Sequence, residues 1–301
     1  MAKVLTIGEL LWDRMTDGDH LGGAPANVAF HLSQAGHQAL LLSAVGDDAA
    51  GHRAMRQLAE SGVDVTRITV DPRHPTGVVD VELDANGVPT FDIRRDVAWD
   101  HIPQPSDLDA LLESTDAVVF GTLAQRQATS HATIDAVLGA GNQMPRIVDL
   151  NLRAPFYDRD VVRRSLERAT ILKLSDGELD LLPGLVGPEF TGGAPPLSAE
   201  ALSGLAARFD LERIYVTRGA EGCDVHAGGE LHHVPATPIQ VADTVGAGDA
   251  FTAALVDGEL RCLPPATIAA HAAAAGAFVA SQPGAMPRWS ETLLAEVRAG
   301  S

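Results

Sequence analysis

The chain has 301 residues, 46% of them hydrophobic, and a formal net charge of −18. That length and apolar content suffice for one large α/β domain, or for a domain with a small appendage, around a substantial core. Lys3 and Lys173 are the only lysines and no basic cluster interrupts the acidity, which argues against a nucleic-acid groove or an anionic membrane surface as partner.

Residues 4–8 read as a first strand, and Met1-Ala2-Lys3-Val4-Leu5-Thr6-Ile7-Gly8 lacks the charged region and cleavage site of a leader. Helical spacing at 26–35 puts Val28, Leu32 and Ala35 on one side; 39–45 reads as a strand, and 51–61 as a helix with Met55, Leu58 and Ala59 inward. Residues 76–93 differ: they alternate through Gly77-Val78-Val79-Asp80-Val81-Glu82-Leu83, break at Asp84-Ala85-Asn86-Gly87 and resume at 88–93. An Asn-Gly break between alternating runs predicts a β-hairpin, placed as a flap or lid beside a main sheet. From residue 117 strands at 117–120, 146–150, 171–174 and 213–217 alternate with helices, and 184–196 reads as a surface loop rich in Gly and Pro. Residues 225–234 form a pair of short antiparallel strands around Gly228-Gly229, 237–242 reads as the end of a strand, and helices at 265–281 and 290–299 close the chain. The alternation predicts a mostly parallel sheet covered on both faces. The longest apolar run, 272–280, is too short to cross a bilayer, so a cytoplasmic location is expected. Cys223 and Cys262 have no metal or redox spacing, fit a reducing compartment and are expected to be buried or idle.

The most informative string is Asp243-Thr244-Val245-Gly246-Ala247-Gly248-Asp249, followed by the helix-like Ala250-Phe251-Thr252-Ala253-Ala254-Leu255-Val256. A glycine turn entering a helix gathers free N–H groups and the positive end of the helix dipole, a seat for phosphate-like charge. Asp249 falls in the first turn, where a carboxylate beside an anion hole can accept the proton of an attacking hydroxyl during phosphoryl transfer. An ordinary helix start with Gly in its entry turn and Asp in its first turn accounts for the bare pattern as readily. Gly22-Gly23-Ala24-Pro25-Ala26-Asn27 gives a second glycine entry, with Asn27 able to donate and accept; alone it also reads as a helix start with Pro near the first turn. Asp13, after Leu10-Leu11-Trp12, is placed at a strand end, where parallel sheets face their ligand crevice and a carboxylate suits sugar hydroxyls. His232-His233 fits a strand rather than a metal site, and Asp47-Asp48 a turn and helix cap. There is no Gly-x-x-x-x-Gly-Lys-Ser/Thr phosphate loop.

Together these strings resemble the ribokinase-like, or PfkB-type, sugar kinases. Gly22-Gly23-x-x-x-Asn27 is similar to the N-terminal signature of that family and Asp243-Thr244-x-Gly246-Ala247-Gly248-Asp249 to the C-terminal one. Gly-Gly-Ala-Pro-Ala-Asn and Gly8-Glu9-Leu10-Leu11-Trp12-Asp13 look most like bacterial fructokinases. The resemblance implies a three-layer αβα fold across 1–301 as a single kinase domain, with a mostly parallel central sheet and a β lid formed mainly by 12–22 and 76–95. It implies ATP-dependent phosphorylation of D-fructose at O6; the alternative is another small sugar or a nucleoside, such as ribose, 2-keto-3-deoxygluconate or adenosine. It makes Asp249 the general base, gives Gly246, Ala247 and Gly248 the anion-hole amides, and assigns Asp13, Gly23 and Asn27 to the sugar and Arg153 to phosphate or substrate oxygens. Arg153, in Asp149-Leu150-Asn151-Leu152-Arg153, is equally open to a structural ion pair. Thr217, Gly219 and Gly222 resemble the nucleotide loop of the family, with an ordinary glycine turn as the alternative there. Glu178, in Lys173-Leu174-Ser175-Asp176-Gly177-Glu178, corresponds to the glutamate that organises hydrated Mg²⁺, although Ser175 stands where the family has Asn. Asp243 and the 281–285 loop correspond to a potassium site, and Asp243 reads equally as a turn cap. The hairpin is a candidate homodimer surface, and Arg94, Arg95 and Trp99 after it are candidates for closure over sugar. A non-catalytic sensor on the same scaffold would be expected to have lost Asp249 or Glu178, and both are present.

Overall fold

The computed structural model describes residues 1–16, 18–83, 89–140, 144–187 and 198–299. In chain order, β1 (Lys3–Ile7), β2 (Leu11–Met15) and β3 (Gly18–Gly22) lead into α1 (Ala24–Ala35), β4 (Gln38–Gly46), α2 (Ala49–Glu60) and β5 (Ile68–Asp71). The hairpin strands β6 (Gly77–Leu83) and β7 (Pro89–Ile93) precede α3 (Leu108–Glu113), β8 (Ala117–Phe120), α4 (Ala128–Ala140), β9 (Arg146–Asp149), α5 (Arg159–Arg168), β10 (Ile171–Ser175) and α6 (Asp176–Val186). The chain continues through α7 (Ala199–Phe209), β11 (Arg213–Thr217), β12 (Cys223–Ala227), β13 (Glu230–Val234), α8 (Ala247–Leu260), α9 (Pro265–Ala280) and α10 (Glu291–Arg298).

Nine of the strands form one sheet in the order β13-β12-β11-β10-β9-β8-β1-β4-β5. Pairing is parallel from β11 to β5 and antiparallel only at the β11-β12-β13 edge. Parallel strands buried on both faces need apolar residues at successive positions, and the side chains here divide between two cores. Val4, Leu41, Val119, Ile147, Ile171 and Tyr215 pack with α1, α2, α8, α9 and α10. Leu5, Leu42, Val118, Val148, Leu172 and Ile214 face the layer of α3 to α7. The result is the expected three-layer αβα arrangement.

The other four strands form a separate sheet, β3-β2-β6-β7, in which β2 pairs parallel with β6 across a long sequence gap. Trp12 fixes it to the main body by donating its indole N–H to the Ala50 carbonyl at 3.0 Å. The expected Asp84-to-Gly87 turn lies outside the described residues.

Three local expectations are corrected. Residues 237–242 form no strand, because they have no pairing neighbour and are solvent-facing, with Val241 60% exposed. In α2 it is Gly51, Ala54 and Leu58 that are buried, with Met55 half-buried and Ala59 exposed. The inward stripe runs at three- and four-residue steps from Gly51, and Asp48 sets its phase by capping the Gly51 N–H at 2.7 Å. Residues 184–186 belong to the last turn of α6; the rest of the expected 184–196 loop, beyond Gly187, lies outside the described residues.

Candidate functional site

The C-terminal ends of β1, β9 and β10, the N-terminus of α8 and the inner face of the small sheet border an open cleft of about 360 Å³. Its lining includes Glu9, Asp13, Gly23, Asn27, Arg153, Lys173, Gly246, Gly248 and Asp249. Clefts at the carboxyl ends of parallel strands are where α/β sheets bind ligands.

Gly246 caps α8 in the left-handed region, φ 78°, and a Cβ there would lie 2.6 Å from both Cα and O of Ala285. Glycine is therefore required twice, for the turn and for the close approach of the 285 backbone. Gly246 and Gly248 at the start of α8 line the cleft, and Asp249 follows them, 9% exposed. Its Oδ2 accepts a hydrogen bond from Asn27 Nδ2 at 2.6 Å. Burial pushes the Asp249 carboxyl up to about 6; the Asp149 charge adds to the rise, while Asn27, Lys173 and Arg153 oppose it. Asn27 stands in the first turn of α1, and its Oδ1 is buried with no partner among the described residues. A buried acceptor without a donor beside a carboxylate suits a ligand hydroxyl.

Gly23, φ 104°, precedes α1, and a Cβ on it would collide with the Glu9 carbonyl oxygen. Asp13 lies within β2 rather than at a strand end, opposite His20 of β3 and Val79 of β6, and its carboxylate packs over Gly22. Alternation along β2 turns it toward the cleft. Burial raises it to about 6, with Arg153 and then His20 opposing. Arg153 is exposed in the cleft with no ion pair among the described residues.

Some expected site residues lie outside this lining. Glu178 forms a capping box at the start of α6: its Oε2 accepts from the Ser175 amide at 2.8 Å and the Ser175 hydroxyl at 3.0 Å, while Oε1 accepts from the Leu152 amide at 2.6 Å. Its oxygens keep lone pairs for water-mediated contact but are held by the backbone. Thr217 is in register with Ser175 at the end of β11, and Gly219 and Gly222, φ 52° and 104°, form the following turn, where a Cβ on Gly222 would strike the Val234 carbonyl. The Asp243 carboxylate accepts from the Val245 amide at 3.0 Å and the Gly284 amide at 3.1 Å, so it caps the turn and ties the 281–285 loop. Ala247 opens α8 without lining the cleft. Arg94 pairs with Asp80 at 2.9 Å, Arg95 lies over Phe156, and Trp99 is fully buried in the core beneath Arg126, so Trp99 does not reach a ligand.

Two features escaped the sequence reading. Glu9, 4% exposed, lines the cleft, and burial lifts it to about 7, its backbone hydrogen bonds opposing and the Asp249 charge adding. Behind the base, Lys173 Nζ donates to both Asp149 oxygens at 3.0 Å, and the Thr252 hydroxyl donates to Asp149 Oδ2 at 2.8 Å. Burial pulls the Lys173 ammonium down, but Asp149 and Glu178 more than offset this and hold it above its usual value. Lys173 also lies against Gly248, so a fixed positive charge backs the first turn of α8. The available signal was a lone lysine inside the apolar run Ile171-Leu172-Lys173-Leu174, in a chain with two lysines.

The pfkB family carbohydrate kinase profile matches residues 8–292. A fructokinase of Klebsiella pneumoniae is 31% identical over 85% of this chain and 84% of its own length. An uncharacterised sugar kinase of Pyrococcus horikoshii in complex with ATP superposes with a TM-score of 0.79 at 26% identity, covering 98% of this chain and 99% of that one. A fructokinase of Vibrio cholerae O395 bound to fructose, ADP and calcium superposes with a TM-score of 0.80 at 25% identity, covering 98% of each chain. The ribokinase-like α/β fold and the profile match together give the class, a carbohydrate kinase. The chain belongs to the pfkB family of carbohydrate kinases. Among the described residues no helix is long and apolar enough to cross a membrane.

Proposed function

We propose that the protein transfers the γ-phosphoryl group of ATP to O6 of D-fructose, with Asp249 as general base. The observation that carries this reading is the pairing at the cleft mouth: a buried carboxylate poised near 6, hydrogen-bonded to an amide whose other atom lacks a donor. A sugar hydroxyl placed there can donate to Asp249 while a neighbouring hydroxyl donates to Asn27 Oδ1. A base near 6 is ionised at neutral pH yet basic enough to take a proton in the transition state. The amides of Gly246, Ala247 and Gly248 would hold the transferring group, with the Lys173 ammonium behind them adding positive potential. Asp13, Gly23 and Arg153 would orient the sugar, and Thr217, Gly219 and Gly222 would lie along the nucleotide. Glu178 would hold Mg²⁺ through water, and the ion would supply positive charge against the nucleotide phosphates. A monovalent ion at the 281–285 loop would rely on backbone carbonyls, since Asp243 is engaged by two amides. The small sheet would act as the lid over one kinase domain, carrying Asp13, Val79 and Ile93 onto the sugar and excluding water.

The likeness to fructokinases favours fructose. A coupled ADP-release assay over fructose, ribose, 2-keto-3-deoxygluconate and adenosine tests it; fructose should give the highest kcat/KM. Ribose or adenosine outpacing fructose by a wide margin would assign the chain to a different acceptor within the same family.

A further inference from the structure

Away from the cleft, His74, Asp96 and His101 bring one ligand atom each within 4.8 Å of one another. They stand at the two ends of the β6–β7 hairpin: His74 precedes β6, and Asp96 and His101 follow β7. We propose that these three residues bind a divalent transition-metal ion, with Asp71 orienting His74.

Asp71, 5% exposed at the end of β5, accepts the Nδ1–H of His74 at 2.7 Å. That bond fixes the tautomer and leaves Nε2 as a free donor atom, the arrangement in which a carboxylate behind a histidine prepares it for metal. The Arg73 amide donates to the same carboxylate at 2.8 Å and the Arg73 guanidinium lies 3.6 Å from it, which keeps Asp71 ionised and in place. On the facing side, His101 closes a short helical turn, 98–101, that is clamped to Arg126 through Asp100 at 2.7 Å and 2.8 Å. Between the histidines, Asp96 adopts φ 56°, a left-handed conformation that Asp tolerates better than most residues and that often marks a functional constraint.

The spacing suits a small ion. Asp96 Oδ1 lies 2.9 Å from His101 Nε2 and 3.8 Å from His74 Nε2. Two donors about 2.1 Å from a tetrahedral centre lie about 3.4 Å apart, between those two values. The rings now stack, centroids 3.7 Å apart and planes 11° from parallel. Since a metal lies in the plane of each imidazole, binding requires the rings to fan apart around Asp96, and His101 must yield the proton it shares with that carboxylate. Two imidazoles and one carboxylate select zinc, cobalt or nickel over magnesium, so the site differs in kind from one for hydrated magnesium on nucleotide.

The test uses the untagged, nucleotide-free full-length chain, titrated with CoCl2 by visible absorption and with ZnCl2 by calorimetry. One equivalent should bind, with cobalt bands of an N/O tetrahedral site that survive excess MgCl2. His101→Ala and Asp96→Ala should abolish the bands, and Asp71→Asn should raise the zinc Kd by ~10–100-fold. Far-UV circular dichroism would confirm that the variants remain folded; His101 and Asp96 sit at the surface of the cluster, so their loss should leave the fold intact. Zinc binding as tight in His101→Ala and Asp96→Ala as in the wild type would overturn the assignment. So would failure of the wild type to take up either metal, which would leave a hydrogen-bonded histidine pair only.

Discussion

Replacing Asp249 by Asn should remove turnover and at the same time stabilise the fold. The side chain keeps its shape, and its oxygen can still accept the Asn27 amide, so binding geometry is disturbed little. Loss of a general base removes ~10²–10⁴-fold from kcat, while ATP affinity, measured by calorimetry, should stay near its wild-type value. The stability effect follows from burial. The carboxyl rises from an ordinary 3.8 to about 6, and at ~1.4 kcal/mol per pH unit this costs the folded state about 3 kcal/mol once pH exceeds the folded value. The sign runs as for any raised pKa: stability from this group is present below 3.8 and lost as pH rises to about 6. Thermal melts at pH 8 should therefore place Asp249→Asn several degrees above wild type, and the gap should close as pH is lowered through that window. A variant that keeps kcat within ~10-fold of wild type would refute the base assignment. A variant that melts lower than wild type at pH 8 would refute the burial argument.

Lys173→Met leaves Asp149 as a buried carboxylate held only by Thr252 and should destabilise by ~3–5 kcal/mol in chemical denaturation; adding Asp149→Leu should recover much of the loss. Gly246→Ala and Gly284→Ala form a matched pair, φ 78° and 75°, but only the first adds a Cβ that meets another chain segment. Both should lose ~1 kcal/mol to the left-handed backbone, and Gly246→Ala should lose clearly more, together with its activity. Arg153→Ala removes a cation that lowers both Asp13 and Asp249, so the acid limb of the pH–rate profile should move to higher pH; an unmoved limb would place Arg153 away from the base.

Most of the fold was legible because each βα step carries its own signal. Periodicity marked β8, β11 and α9 to within a residue or so, and the hairpin and the β12–β13 pair announced themselves through alternation and glycine. Residues 237–242 misled because apolar composition resembles a strand, whereas a strand needs a neighbour to pair with, and pairing is not local. Asp13 was misplaced because β2 runs on past it to Met15, pairing with β3 just downstream and with β6 far along the chain, and five residues with polar Asp13 and Arg14 at their centre carry too little alternation to show the strand. The local strings exposed Asp249 and Asn27 as candidates. Glu9 and the Asp149–Lys173–Thr252 network stayed hidden because their meaning comes from burial together: Asp149 meets Lys173 across 24 residues and Thr252 across 103. Each alone is an ordinary polar residue near a strand or in a helix.

The contact between Gly246 and the 285 backbone also sets a schedule for assembly. His31, neutral because burial lowers it to about 4, accepts the indole N–H of Trp289 and donates to the Ala285 carbonyl, 254 residues further along the chain. The segment that braces the mouth of α8 is thus gripped by a helix synthesised near the beginning and delivered near the end. Without Trp289 the strands of the sheet would keep their own pairing, but His31 would lose the bond that holds its ring toward the Ala285 carbonyl and so the brace behind Gly246.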